Sequence, residues 1–298
     1  MLTHERPPGE ALTKFRRLLV AVDVSSPSLE TLDDLAALAS RLEVELQGLI
    51  VEDTDLLALA GHRVVTTFST RAGLVLDSKT IERTIRRHVD AARRAIESAA
   101  LRRQVRATFE VRRGRTVLEL IRSAERDDLL VVSRHASSFA SIGTTRDSTK
   151  PGAGSTAQDI LRNTQQSVFI LGSVESLKGP LYPVFDGTPS STHALELATK
   201  ICARSKDKPL VVLLWATDPT DEKELQRSAQ RVVARHDVLS SYKTVAANEG
   251  NGAATLCASL AANREEGILV LSGGQDVARE GAVQDVLKRV GCSVLLLR

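Results

Sequence analysis

The sequence predicts an α/β protein of two tandem doubly wound domains, each a five-stranded, mostly parallel sheet with helices on both faces. Three observations predict it. Strand and helix signals alternate along the chain. An apolar run ending in an Asp and a Ser/Pro or Thr/Pro turn occurs twice, from Arg17 to Ser28 and from Leu181 to Ser191. Each half closes on a short apolar strand, Ser167 to Gly172 and Ser293 to Arg298. A duplication of this size implies homologous domains, so a site in one half can be checked against the other. Alternating elements of these lengths demand right-handed crossovers and a sheet covered by helices on both faces.

In order, Leu18 to Val22 and Glu45 to Val51 read as strands, and between them Leu29, Leu32, Leu35, Ala36, Ala39 and Leu42 mark one helix face. A polar stretch, Thr66 to Asp77, precedes a long helix from Ser78 to Ala100. A strand from Val105 to Val111, a helix from Arg115 to Ala124 and a strand from Asp128 to Val132 follow, the last a continuous apolar run of the kind a buried parallel strand shows. Ser155 to Arg162 is a short helix and Val168 to Leu171 the last strand of the half. The second half repeats the order. Its strands fall at Leu181 to Phe185, Pro209 to Trp215, Ser241 to Ala246, Ile268 to Leu271 and Ser293 to Leu297, and its helices at Ser190 to Arg204, Asp221 to His236, Gly252 to Asn263 and Val277 to Val290. Lys178-Gly179-Pro180 is the natural linker, which divides the chain into a tail (1–15), a first domain (16–177) and a second (178–298). The last strands of the two domains are expected to pair antiparallel as an internal pseudo-dimer, removing two exposed edges.

A chain of 298 residues, 42% hydrophobic, can form two cores of ordinary size. No apolar run approaches the roughly 20 residues needed to cross a bilayer. The first fifteen residues lack the apolar centre of a signal peptide, so a soluble, cytoplasmic protein is expected. Cys202, Cys257 and Cys292 lie without C-x-x-C spacing, which fits reduced packing residues. The net charge of +3 is unevenly spread: eleven arginines lie between Arg83 and Arg115 against Asp90, Glu97 and Glu110. That stretch reads either as a patch for an anionic partner or as a solvated helix face, since Ile81, Ile85, Ala92, Ile96 and Ala99 recur at helical spacing on the other side. Along the helix no aromatic residue interleaves the arginines, as base stacking would want, so nucleic acid is not the expected partner.

In open sheets of this kind, ligands sit at the carboxyl ends of strands where the winding reverses. Asp23 and Asp186 lie at that edge, each at the end of the first strand of its half. Helix capping explains either alone; recurrence of strand, Asp and turn together points to a site. Gly152 to Ala157 fits G-x-G-x-x-A but starts far beyond its strand, and Lys150 has no G-K-[ST] context. The six histidines show no i, i+4 pairing, and no catalytic base or metal cluster can be named.

These residues resemble the universal stress protein family in its tandem form. The resemblance rests on Val20-Ala21-Val22-Asp23 with Ser25-Ser26-Pro27, on Phe185-Asp186-Gly187-Thr188-Pro189-Ser190-Ser191, and on the tails Gly154 to Leu161 with Ser167 to Leu171 and Val283 to Leu287 with Gly291 to Leu297. The expected strand order in each domain is 3-2-1-4-5. Family members that bind ATP have a loop after the fourth strand, G-x-x-G, nine residues, then G-S or G-T, whose glycines let backbone N–H groups approach phosphates. Here Ser133 and Ala136 stand at the two glycine positions, a Ser/Thr/Gly-rich insertion lengthens the gap, and only Gly154-Ser155 matches the end. The insertion, about Ser137 to Gly152, is expected to be mobile or to adopt a long surface loop. In the second half Ser272 and Gln275 take those positions, and Gly281-Ala282 lacks the hydroxyl.

The resemblance implies a non-enzymatic stress-response protein acting through regulatory or protein-partner interactions, with degenerate nucleotide loops. The alternative is a sensor that binds ATP or AMP weakly in the first domain, with Asp23 at the nucleoside end, the main chain near Val51 at the base and the Gly154-Ser155 helix start at the phosphates, Asp186 being the second-domain counterpart of Asp23. A nucleotide-dependent enzyme is the third reading. No cofactor is otherwise expected, and a homodimer is compatible with the family.

Overall fold

The structure is a computed structural model, which describes residues 15–22, 29–53, 78–134, 155–172, 175–205, 208–247, 252–261, 267–275, 278 and 280–298. The first half contains β1 (Arg17–Ala21), α1 (Leu29–Leu42), β2 (Glu45–Asp53), α2 (Ser78–Arg102), β3 (Ala107–Gly114), α3 (Thr116–Ser123), β4 (Asp128–Ser133), α4 (Ser155–Asn163) and β5 (Ser167–Leu171). After a 3-10 turn at Glu175–Leu177, the second half contains β6 (Leu181–Phe185), α5 (Pro189–Ala203), β7 (Leu210–Ala216), α6 (Pro219–Val233), β8 (Ser240–Ala246), α7 (Gly252–Ala261), β9 (Ile268–Ser272), α8 (Glu280–Arg289) and β10 (Ser293–Leu297). The start of α6 lies two residues earlier than periodicity suggests. Asp218 caps it, its Oδ1 accepting from the N–H groups of Thr220 at 2.7 Å and Asp221 at 3.0 Å, ahead of Pro219 at the first helical position. The polar stretch 66–77 and the insertion 137–152 lie outside the described residues.

Within each half the strand order is 3-2-1-4-5, but the two sheets are not separate. One ten-stranded sheet runs β3-β2-β1-β4-β5-β10-β9-β6-β7-β8. This corrects the expectation of one five-stranded sheet per domain. The expected antiparallel pairing of the last strands is what merges them, with Val294 opposite Ile170, Leu295 opposite Phe169 and Leu296 opposite Val168. Left alone, β5 and β10 would each present a row of unpaired N–H and C=O groups on a fully buried strand. The backbone segments approach closely at this seam: a Cβ on Gly172 would clash with the carbonyl oxygen of Gly291.

The hydrophobic cores also ignore the division into halves. Alternate strand residues point to opposite faces. On one face Leu18, Val20, Ile96, Phe169, Leu195 and Leu295 belong to one continuous cluster; on the other Leu19, Ile160, Val168, Leu256, Val286 and Leu296 belong to a second. Each core therefore spans the seam.

On the first of these faces α1 and α5 meet across a polar cluster. Arg204 pairs with Glu43 at 2.9 Å, and Lys178 with Glu30. Lys208 donates to the carbonyl of Leu177. Burial, with Arg41 nearby, pulls the Lys208 ammonium down to about 8, and burial pushes the Cys202 thiol up to about 11. The two act on stability with opposite signs. Between about pH 8 and the ordinary lysine value of 10.5, the folded chain has released a proton that the unfolded chain still holds, so Lys208 makes stability rise with pH. Between the ordinary thiol value of 9.0 and about 11, the folded chain keeps a proton that the unfolded chain releases, so Cys202 makes stability fall with pH. Denaturant midpoints at pH 8, 9 and 10 should show a rise that Lys208→Met removes and that Cys202→Ala extends to higher pH; identical profiles for the three chains would refute this account.

Candidate functional site

The sheet reverses its winding twice, between β1 and β4 and between β6 and β9, so the fold offers two crevices at the carboxyl edge. Register makes them equivalent. Ala21 lies opposite Leu49 and Val184 opposite Leu213, so Val51, two residues past Leu49, corresponds to Trp215, two residues past Leu213.

The second crevice is described on both walls, from β6 to α5 and from β9 to Gln275. On the β6 side, Gly187 at φ +80° turns the chain directly after Asp186, a conformation that glycine adopts without strain. Asp186 Oδ1 accepts from the Thr188 N–H at 3.1 Å and from the Thr188 hydroxyl at 2.6 Å. Thr188 in turn caps α5, its hydroxyl oxygen accepting from the Ser191 N–H at 3.2 Å, with Pro189 at the first helical position. Asp186 is thus occupied in shaping its own turn.

On the β9 side, the ladder between β6 and β9 extends from Leu181–Ile268 to Pro183–Val270, and beyond it the strands part. Gln275, 2% exposed, fills that gap. Its Oε1 accepts from the Ser272 N–H at 3.0 Å and its Nε2 donates to the Val184 carbonyl at 2.9 Å. The carboxamide supplies one acceptor and one donor, as a peptide group would, and extends the ladder into the crevice. The glycines before it press the turn against the opposite wall: a Cβ on Gly274 would lie 2.9 Å from the Ser190 hydroxyl.

The first crevice is described in part. Val51 lies half-buried near the carboxyl end of β2, opposite Arg112. Ser155 is the first residue of α4. Asp23 and Gly154 lie outside the described residues, as does Ala136. The Val22 N–H donates to the Leu49 carbonyl at 2.9 Å, continuing the β1–β2 ladder to the residue before Asp23.

Sequence reasoning missed Arg134, the residue after the first altered glycine position. Its side chain is buried, 3% exposed, and crosses the seam. The guanidinium donates to the Leu287 carbonyl at 3.2 Å and to the carbonyls of Val290 and Cys292, at the carboxyl end of α8, where cations are favoured. Arg298 reciprocates from the second half, donating to the Leu161 carbonyl at 2.7 Å and to that of Thr164 at the end of α4. The local signal was an arginine directly behind a fully buried strand. Its partners, more than 150 residues away in sequence, had no local signal.

Among the described residues, no group of three or more His, Cys, Asp or Glu could hold a metal ion, and no helix is long and apolar enough to cross a membrane. An open depression is lined by Leu29, Glu30, Asp33, Arg102 and Arg103, and its Asp33 carboxylate is taken by the two arginines.

An open sheet wound twice with a crevice at each reversal defines the class, a doubly wound α/β protein built from two like halves. No protein-family model matches the chain, and no curated protein does. Solved structures do match. A universal stress protein from Archaeoglobus fulgidus superposes with a TM-score of 0.65 at 16% identity, over 96% of this chain and 98% of that one. A Pseudomonas aeruginosa protein described as a universal stress protein superposes at 0.60 and 15% identity, over 97% and 95%. A functionally unknown protein of Pseudomonas aeruginosa does so at 0.60 and 15%, over 96% and 94%. The chain has the universal stress protein fold along nearly its whole length.

Proposed function

We propose that the protein is a non-enzymatic tandem universal stress protein, its halves an internal pseudo-dimer, which acts in stress response through regulatory or partner interactions. In this reading the second nucleotide crevice is lost and the first weakened. The observation that carries it is the Gln275 carboxamide, bonded to both strands where a nucleotide would enter. A glycine at that position would leave the strand ends open; glutamine bridges them. The second reading, a sensor holding ATP or AMP in the first half, draws support from α4, whose first residue Ser155 follows β4 at the carboxyl edge.

Calorimetric titration of ATP into the wild type, Asp23→Ala and Asp186→Ala tests both. Binding weaker than micromolar, about 8 kcal/mol, is expected, and Asp186→Ala should leave it unchanged. Tight binding, or loss only in Asp186→Ala, overturns the assignment. Conversion of ATP to product would reinstate an enzyme.

A further inference from the structure

The eleven arginines between Arg83 and Arg115 divide into two groups in the fold. Five have intramolecular tasks. Arg102 and Arg103 hold Asp33, Arg106 pairs with Glu45 at 3.1 Å, Arg112 pairs with Glu110 at 2.7 Å, and Arg93 lies 4.7 Å above the Phe109 ring. The other six, Arg83, Arg86, Arg87, Arg94, Arg113 and Arg115, are exposed, and none pairs with a carboxylate among the described residues.

Four of those six share one region. Arg83, Arg87 and Arg94 follow one another at helical spacing along the outward face of α2, opposite buried Ala92, Ile96 and Ala99, over roughly 17 Å of helix. Arg113 shares its sheet face with Phe109, the face that α2 covers, because strand side chains alternate. From the contact between Arg93 and Phe109, helix and strand rises bring Arg113 roughly level with Arg83. β3 is an end strand of the ten-stranded sheet, so this region lies at an extremity of the molecule.

A solvated helix face does not account for it. Exposed helices usually balance their charges; α2 does so at i, i+4 around Asp90, with Arg86 and Arg94, and at Arg93 with Glu97, and what sets it apart is the excess of basic over acidic residues. The duplication supplies an internal comparison: α6, between the second and third strands of the other half as α2 is in the first, carries Lys223, Arg227 and Arg231 against Asp221, Glu222 and Glu224. From Arg83 to Arg102, α2 carries six arginines against Asp90 and Glu97. Arg83 to Arg115 holds eleven of the chain's 40 basic residues and only three of its 37 acidic ones, so the rest of the chain is net acidic.

We infer that the outward face of α2 with the end of β3 binds the phosphate backbone of duplex nucleic acid without reading its sequence. All the cations are guanidinium groups, whose planar fork matches phosphate oxygens in a way a lysine ammonium does not. Among the described residues the patch has no exposed aromatic or methionine anchor, as a protein partner would want, since Phe109 is half-buried with Arg93 over its ring. It also lacks the tryptophan and tyrosine that favour a membrane interface. The missing aromatics exclude base stacking, which contact to duplex phosphates does not use. This inference stands apart from the nucleotide reading, because ATP titration tests the crevices and not α2.

The test is fluorescence anisotropy of a random-sequence duplex of about 20 base pairs with the full chain between 50 and 200 mM salt. Four to six phosphate contacts should give a slope of log K against log salt near −4 to −5. Arg83→Gln/Arg87→Gln/Arg94→Gln should flatten the slope by two to three units and weaken binding at least about tenfold at 50 mM salt. The matched α6 variant Lys223→Gln/Arg227→Gln/Arg231→Gln should bind as wild type does. Arg83→Lys/Arg87→Lys/Arg94→Lys should keep the slope. No binding at 50 mM salt, equal losses in the α2 and α6 glutamine variants, or a lysine variant as weak as the glutamine one would each overturn the inference. So would capture by phosphatidylserine vesicles where the duplex fails, which would assign the face to a membrane.

Discussion

Asp128→Ala is expected to destabilise the fold by about 3–5 kcal/mol, the cost of breaking a buried ion pair by removing one partner. Asp128 opens β4 at the amino edge of the sheet, opposite Arg17 of β1, and its side chain is fully buried. Arg17 meets it with both arms of its fork, Nε to Oδ1 at 2.9 Å and Nη2 to Oδ2 at 2.7 Å, and Oδ2 also accepts from the Glu125 N–H at 2.6 Å. Alanine would leave the Arg17 guanidinium, 13% exposed, with only the exposed Glu125 carboxylate at 3.7 Å. Replacing both partners with apolar residues, Arg17→Met/Asp128→Leu, should cost much less, because no charge is then stranded. Denaturant midpoints decide; a loss below about 1 kcal/mol in Asp128→Ala would show the pair to be dispensable.

Arg134→Ala should cost about 2–4 kcal/mol, from carbonyls left without a donor and a cavity beneath the seam. Unlike Asp128→Ala, it should act locally before it acts globally. The last turn of α8 loses the cation that satisfies Leu287 and Val290, so amide exchange should accelerate there more than in β1 or β2. Arg298→Ala should cost less, because that residue is exposed at the end of β10 and its bonds are only partly buried. Uniform acceleration across the chain, or an Arg298→Ala loss larger than that of Arg134→Ala, would refute the reciprocal clamp.

Much of the fold was legible because its signals are local. Continuous apolar runs at Asp128 to Val132 and Ser293 to Leu297 can be buried only on both faces, and they became strands with those starts. The spacing of Leu32, Leu35, Ala36 and Ala39 leaves one helix face dry, and all four are buried in α1. The candidate site was less legible. Asp186 was readable as the end of a strand and the start of a turn, but that its Oδ1 would be taken by Thr188 depends on the left-handed Gly187 folding the chain back. Gln275 read only as a missing glycine. Its carboxamide finds Val184, 91 residues away, because β6 and β9 part at that point.

By itself, then, the sequence determined the alternation of elements, the duplication, the place of Asp186 directly after β6 and the arginine excess of α2, since each is a matter of residue type and spacing within one or two elements. Tertiary structure alone decided that the two sheets are one, that Arg134 and Arg298 cross the seam, that Gln275 closes a crevice, and which arginines of α2 and β3 have carboxylate partners. Each of these is a pairing between residues far apart in the chain. A backbone edge, a guanidinium or a carboxamide states that it needs a partner, and only the packed sheet determines which one it meets.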